Sequence, residues 1–279
     1  MAAPALSALL WLGTFPPAEV IILGLITAFS GYTAVYALND VIDFRVDREK
    51  IQASPLCGSK QDLDNVYVRH PLARGMLSYG KGLFWVVAWA ALAMVGAYLL
   101  NPVCAFIFLL ACLLEVVYCR LLKITHLRGI ISGAVKTSGP VAAVLAVAPR
   151  PDILFLVVLF LWLFFWEIGG QNIPNDWGDM EDDRKIQAKT IPVYFGFRGS
   201  LLIIFISLFM ALAMSLVMHW ISPKGREVIY LVGAFFSGGY FLLLPAHRLY
   251  KARTSEDAFH LFNRASYYPL AMLLFILMS

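Results

Sequence analysis

The sequence predicts an all-α, polytopic membrane protein, a bundle of about nine helices, and three observations lead there. The first is composition. Of 279 residues, 60% are hydrophobic and 14% charged, with a mean hydropathy of +0.75, whereas a soluble domain carries about 25% charged residues. So little charge cannot cover a water-facing surface. The second is a series of apolar runs, most of them roughly 16–21 residues long, against about 20 needed to cross a bilayer. Helices are the economical way to cross, because lipid cannot satisfy backbone polar groups. The third is the distribution of Lys and Arg, which alternates from loop to loop.

The runs fall at 3–14, 18–38, 82–100, 103–119, 129–148, 152–171, 199–219, 227–247 and 263–278. The first is too short to span in full. It reads either as the tail of a helix whose beginning is absent or as an interfacial segment. The other eight suffice as tilted spans once flanking residues are included. Gly129 and Gly133 form a GxxxG pair suited to close helix packing. Trp85, Trp220 and Tyr230, near run ends, read as interfacial anchors.

Eighteen of the 22 Lys and Arg residues lie in the loops after the even-numbered runs. Arg150, Lys224 and Arg226 lie on the opposite side, and Lys136 sits inside a run. By the positive-inside rule the loops after the even runs face the cytoplasm or its organellar equivalent. The net charge of +4 reflects this asymmetry and points to no nucleic-acid partner. Cys57, Cys104, Cys112 and Cys119 form no CxxC pair and read as packing residues, not zinc ligands or disulfides. The N-terminus lacks a basic region and a cleavage site, so no signal peptide is expected. The glycine-rich stretch from Gly75 to Gly82 imitates a phosphate-binding loop, but Gly82 stands where that loop needs Ser or Thr.

Two decapeptides break the apolar pattern. NDVIDFRVDR occupies 39–48 and NDWGDMEDDR occupies 175–184. Asn39, Asp40, Asp43, Asp47 and Arg48 match Asn175, Asp176, Asp179, Asp183 and Arg184. Each copy follows an even-numbered run, four runs apart, so both lie on one side of the membrane. The chain therefore reads as one domain, 1–279, with a parallel internal repeat at about 1–120 and 129–250 and a last helix at 263–278. Such repeats place a shared site between their halves. On a helix, positions i, i+3 and i+7 share a face. Asp40, Asp43 and Asp47 form one acidic stripe, and Asp176, Asp179 and Asp183 form another. Glu181 and Asp182 are expected to face water. Two carboxylates about 6 Å apart repel by roughly 3 kcal/mol at an effective dielectric near 20. Divalent cations relieve this, and hard oxygen ligands suit Mg²⁺ together with substrate phosphates. The asparagines can add neutral oxygens. Acidic stripes could also line an ion path in a cation transporter. That reading expects carboxylates near the bilayer midplane, whereas these lie at run ends.

On these residues the chain resembles the UbiA superfamily of intramembrane prenyltransferases, relatives of 4-hydroxybenzoate polyprenyltransferase. The two motifs carry the likeness, supported by KTIPVYFG at 189–196 and RHPLARGMLS at 69–78. The resemblance implies a nine-helix bundle around a central cavity open to lipid. It implies that the six aspartates hold two Mg²⁺ ions bridged by the diphosphate of a polyprenyl donor, with Asp43, Asp47, Asp179 and Asp183 closest to the chemistry. The implied reaction transfers the prenyl group to a small, aromatic acceptor in quinone or prenylated-lipid biosynthesis. The same donor chemistry with a non-aromatic acceptor, or terpene cyclisation, is the alternative.

Further residues are expected to bind substrate. Asn39 and Asn175 open the motifs, and Asn172 lies one turn before the second. Tyr118, Arg120 and Lys123 end the fourth run, where the family carries a tyrosine and basic residues near the diphosphate. Arg69 and Arg74 lie in a loop that would cap the site. Lys136 is basic inside a span, which is costly without a role or a partner such as Glu115 or Glu167. His70 stands where the family usually has arginine, and the loop from 49 to 69 carries Asp62 and Asp64.

Overall fold

A computed structural model describes residues 2–53 and 70–278. Among these residues every regular element is helical. A short α1 (Ala2–Leu12) precedes α2 (Ala18–Ala53), α3 (Tyr79–Leu100), α4 (Pro102–Arg120) and α5 (Arg128–Val147). Then α6 (Ile153–Trp166), a π-turn (Glu167–Asn172) and α7 (Ile173–Gly178) run on as one rod. After α8 (Met180–Lys185) and α9 (Ile191–Ile221), a second rod joins α10 (Val228–Ser237), a π-turn (Gly238–Leu243) and α11 (Leu244–Ala252). The chain closes with α12 (Ser255–Ser266) and α13 (Tyr268–Leu277). Seven helical stretches are long and apolar enough to cross a membrane.

Local chemistry sets several of these boundaries. Asn101 caps α4, its side chain accepting from the Val103 N–H at 3.0 Å, with Pro102 at the first helical position. Asp152 caps α6 by accepting from Leu154 N–H at 2.6 Å. Gly196 takes φ +64° and kinks α9, a backbone state that glycine adopts without steric penalty. The run expected at 263–278 is divided instead. It breaks at Tyr267, because Pro269 cannot donate into a continuing helix.

Two further expectations need correction. The interfacial reading of the first run fails: Leu6 and Leu10 of α1 are fully buried, and α1 packs between α5 and α13. Tyr230 is no interfacial anchor. It is fully buried and donates its hydroxyl to the Ser215 carbonyl at 2.6 Å. Trp85 and Trp220 do remain exposed.

The bundle runs through neighbouring pairs: α2 on α3, α4 on α5, α5 on α1 and α6, α6 on α9, and α10 on α13. Its main core lies in the second half, around Trp162, Trp177, Leu208 and Tyr268. Phe84, Phe106 and Phe209 are instead 65–72% exposed. Apolar side chains presented outward on long apolar rods form a lipid-facing belt. Two cavities open between α2 and α5, and the larger also reaches residues of α6, α12 and α13. One, about 270 Å³, is a mostly apolar cavity walled by α1 to α5. The other, about 940 Å³, has Asp40, Glu167 and Gln171 on its walls. Tyr32, Tyr36 and Lys136 line both.

Close approach of α5 and α6 requires Gly133. A Cβ there would lie 2.5 Å from the Phe164 ring. Gly133→Val should therefore lower stability by about 1–3 kcal/mol, read as a reduced Tm in detergent. Gly24→Ala, with no heavy atom within 4 Å of the added methyl, should leave Tm unchanged or raise it.

Candidate active site

The first acidic motif is not a loop. α2 continues past residue 38 through the whole motif, so Asp40, Asp43 and Asp47 project from one uninterrupted helix. Helical geometry then separates their roles. Asp40 and Asp47 are about 20° apart around the axis, while Asp43 lies about 60° round from Asp40. Asp40 and Asp47 accordingly face His70, whose Nδ1 is 3.7 Å from Asp40 Oδ1 and 2.8 Å from Asp47 Oδ2. Asp43 turns toward Cys119, Arg128 and Lys50.

The second motif is built differently. Asp176 lies in α7, Asp179 sits at the break with φ −99° and ψ 6°, and Asp183 lies in α8. All three are buried. Glu181 is exposed, as expected, but Asp182 is not: it is buried and pairs with Lys185 at 3.1 Å. The break at Asp179 restarts the helical phase, so angles counted from Asp176 do not carry into α8.

Basic groups join the two motifs. Lys50, three residues beyond Asp47 on α2, reaches across to Asp183 Oδ1 at 2.7 Å. Arg128, the first residue of α5, is buried and lies between them. Its Nη2 is 3.5 Å from Asp176 Oδ1, and it also acts electrostatically on Asp183 and Asp43. A cation at a helix N-terminus opposes the macrodipole. The surrounding carboxylates offset that, and a stranded partner in such a buried pair costs about 3–5 kcal/mol. Arg128 also stacks on Tyr118, 4.2 Å from the ring centroid, and donates to its hydroxyl. Asn172, in the first π-turn, donates to the same hydroxyl at 3.4 Å, and its Oδ1 is buried with no hydrogen-bond partner among the described residues.

The other expected residues are distributed unevenly. Asn39 donates to Glu115 at 2.8 Å and Cys119 at 3.3 Å. Asn175 is half-buried, and its carbonyl accepts from the Asp179 N–H. Lys136 donates to the Tyr36 hydroxyl at 2.8 Å and feels Glu167 and Glu115; Glu167 accepts from Ser132 at 3.0 Å. Lys123 pairs with Glu49 at 2.6 Å on the surface. Arg120 and Arg74 are exposed. Arg69 lies outside the described residues. Sequence reasoning treated Arg128 as an ordinary loop cation and did not single out Lys50. It noted His70 only as a departure.

A family model described as the UbiA prenyltransferase family matches residues 1–274. The chain belongs to the UbiA prenyltransferase family. It is an integral, multi-pass membrane enzyme that transfers prenyl groups, which removes the transport reading. A UbiA relative, the 4-hydroxybenzoate octaprenyltransferase of Legionella pneumophila (strain Paris), is 25% identical over 268 residues, 94% of this chain and 86% of that protein. The fold is similar to the apo structure of a UbiA homolog from Aeropyrum pernix K1, with TM-score 0.73 and 20% identity over 99% of this chain and 94% of that one. It is also similar to a UbiA homolog from Archaeoglobus fulgidus bound to DMAPP and Mg²⁺, with TM-score 0.70 and 15% identity over 100% and 94%.

Arg128→Met should strand Asp176 beside Asp183 and lower the prenyl-transfer rate at least about 100-fold, the scale of losing one preorganised charge contact. Arg150→Met, at an exposed turn between α5 and α6, should stay within about twofold of the unaltered enzyme. Steady-state kinetics on both variants in nanodiscs checks the contrast.

Proposed function

We propose that this chain transfers a polyprenyl group from a prenyl diphosphate to a small aromatic acceptor, with two Mg²⁺ ions, in quinone or prenylated-lipid biosynthesis. The observation that carries this reading is the meeting of two aspartate-rich segments around buried Arg128, with an apolar cavity that shares Tyr36 and Lys136 with the cavity reaching Asp40. The residues fit the metal: six carboxylates supply hard oxygens, and donor atoms of Asp40, Asp47 and His70 already lie within 4.8 Å of one another. In this reading Asp40, Asp43 and Asp47 hold ions from one side, and Asp176, Asp179 and Asp183 from the other. Bound ions supply Lewis-acid stabilisation of the departing diphosphate.

The chain's own groups do the rest. Arg128 and Lys50 add positive charge where negative charge accumulates on the leaving group. Tyr118, to whose hydroxyl Asn172 donates, fixes the guanidinium of Arg128. The apolar cavity, with Ile107, Phe108 and Tyr32 on its wall, takes the isoprenoid tail and keeps water from the allylic carbon. Lys136, on the wall shared by both cavities, offers a cation to an acidic acceptor. The relative named as a 4-hydroxybenzoate octaprenyltransferase supports an aromatic acid in that place. The positive-inside pattern supports motifs that face the cytoplasm or its equivalent.

The test incubates purified protein with labelled prenyl diphosphates, Mg²⁺ and a panel of acceptors. A prenylated 4-hydroxybenzoate, lost on chelation and in Asp43→Asn and Asp179→Asn, is expected. Lys136→Met should raise KM for the acid about tenfold or more, a loss of at least 1.4 kcal/mol, with a smaller change for the donor. Prenyl transfer only to lipid or sugar hydroxyls would overturn the aromatic assignment.

A further inference from the structure

The face of the first motif that carries Asp40 and Asp47 is short of donor atoms, and one residue outside the motif adds one. Asp40 and Asp47 are seven residues apart on α2, which separates their Cα atoms by about 10.5 Å along the axis. Their side chains still bring one oxygen each within 4.8 Å of the other, which offers an ion two donors and leaves it short of ligands. His70 lies between them, with Nδ1 2.8 Å from Asp47 Oδ2 and 3.7 Å from Asp40 Oδ1. One donor atom from each of the three lies within 4.8 Å of the other two. Donors at about 2.1 Å from a common ion sit about 3–4 Å apart, so small side-chain adjustments complete the cluster.

The placement of His70 is anchored. Its carbonyl accepts from the Arg74 N–H at 3.1 Å, and Leu72 is buried against Val41 and Val86, between α2 and α3. Its own backbone takes φ +57°, a left-handed state in which histidine is several-fold enriched among non-glycine residues. The loop thus delivers an imidazole onto the acidic face of α2.

We propose that His70 is a nitrogen ligand, with Asp40 and Asp47, to one of the divalent ions of this site, and that it biases the site from Mg²⁺ toward transition-metal ions, Mn²⁺ and more strongly Co²⁺. The proposal rests on the metal-dependent reading above. Imidazole suits transition metals, whereas Mg²⁺ prefers an all-oxygen shell. The Nδ1 atom is the one aimed at both carboxylates, so it is the ligating nitrogen.

The test reads the metal, not the turnover. Purified protein is loaded with Mn²⁺, with and without inorganic diphosphate, and its electron-spin-echo spectrum is recorded for ¹⁴N coupling. Coupling in the native chain and its loss in His70→Asn are expected; asparagine is chosen because it tolerates the left-handed backbone. The ratio of Mg²⁺ to Mn²⁺ dissociation constants should fall about tenfold or more in that variant. Absence of ¹⁴N coupling in the native chain, its persistence in His70→Asn, or no Mn²⁺ binding in either state overturns the proposal. If His70→Asn fails to fold, ¹⁵N-histidine labelling of the native chain decides: an imidazole coupling must change isotope, and an unchanged spectrum overturns the proposal. Prenyl transfer with Mg²⁺ but no nitrogen coupling refutes this inference alone. Nitrogen coupling without prenyl transfer refutes the broader reading and leaves the ligand intact.

Discussion

The structure is organised around an electrostatic problem: six aspartates brought together at the end of an apolar bundle. Left alone, they would repel one another and resist burial. The fold answers partly with its own cations. Lys50 crosses from α2 to Asp183, and Arg128 lies against Asp176 with Asp43 and Asp183 in its field. Those bridges tie the first half of the chain to the second across the site. The remaining excess of negative charge is what makes the place suited to divalent ions.

The same arrangement links packing to chemistry. Gly129, beside Arg128 at the start of α5, lets Asn172 approach closely; a Cβ there would meet Asn172 Oδ1 at 2.9 Å. Asn172 belongs to a π-turn that interrupts the rod from α6 to α7. Single π-turns collect at functional sites because they re-aim side chains from a rigid helix. Here the turn carries Glu167, Gln171 and Asn172 toward the interior while α6 keeps its apolar packing against α9.

Much of this was legible in the sequence. The apolar runs gave the rods to within a few residues wherever a cap such as Asn101 or Asp152 marked the start. The acidic motifs stood out because carboxylates are rare in so apolar a text. Other features depended on tertiary contacts. Arg128 looked like any loop cation; the clue was its position at a helix start, where only nearby carboxylates make it tolerable. Asp182 was misjudged because Asp179 interrupts the helix and resets its phase. Tyr230 looked like an interfacial anchor because hydropathy does not tell a lipid-facing from a core-facing aromatic. Both π-turns contain a Gly-Gly pair, at 169–170 and 238–239, a signal that hydropathy averaging erases.

A double-mutant cycle on ligand binding probes the shared basin most directly. Binding of a non-reacting thio-analogue of a prenyl diphosphate is measured by calorimetry in nanodiscs, with and without Mg²⁺, for Asp43→Asn, Asp179→Asn and the double variant. If both motifs grip one metal–diphosphate unit, binding requires Mg²⁺ and the double variant loses little more than either single one. Strictly additive losses, or tight binding without a divalent ion, would contradict a common site.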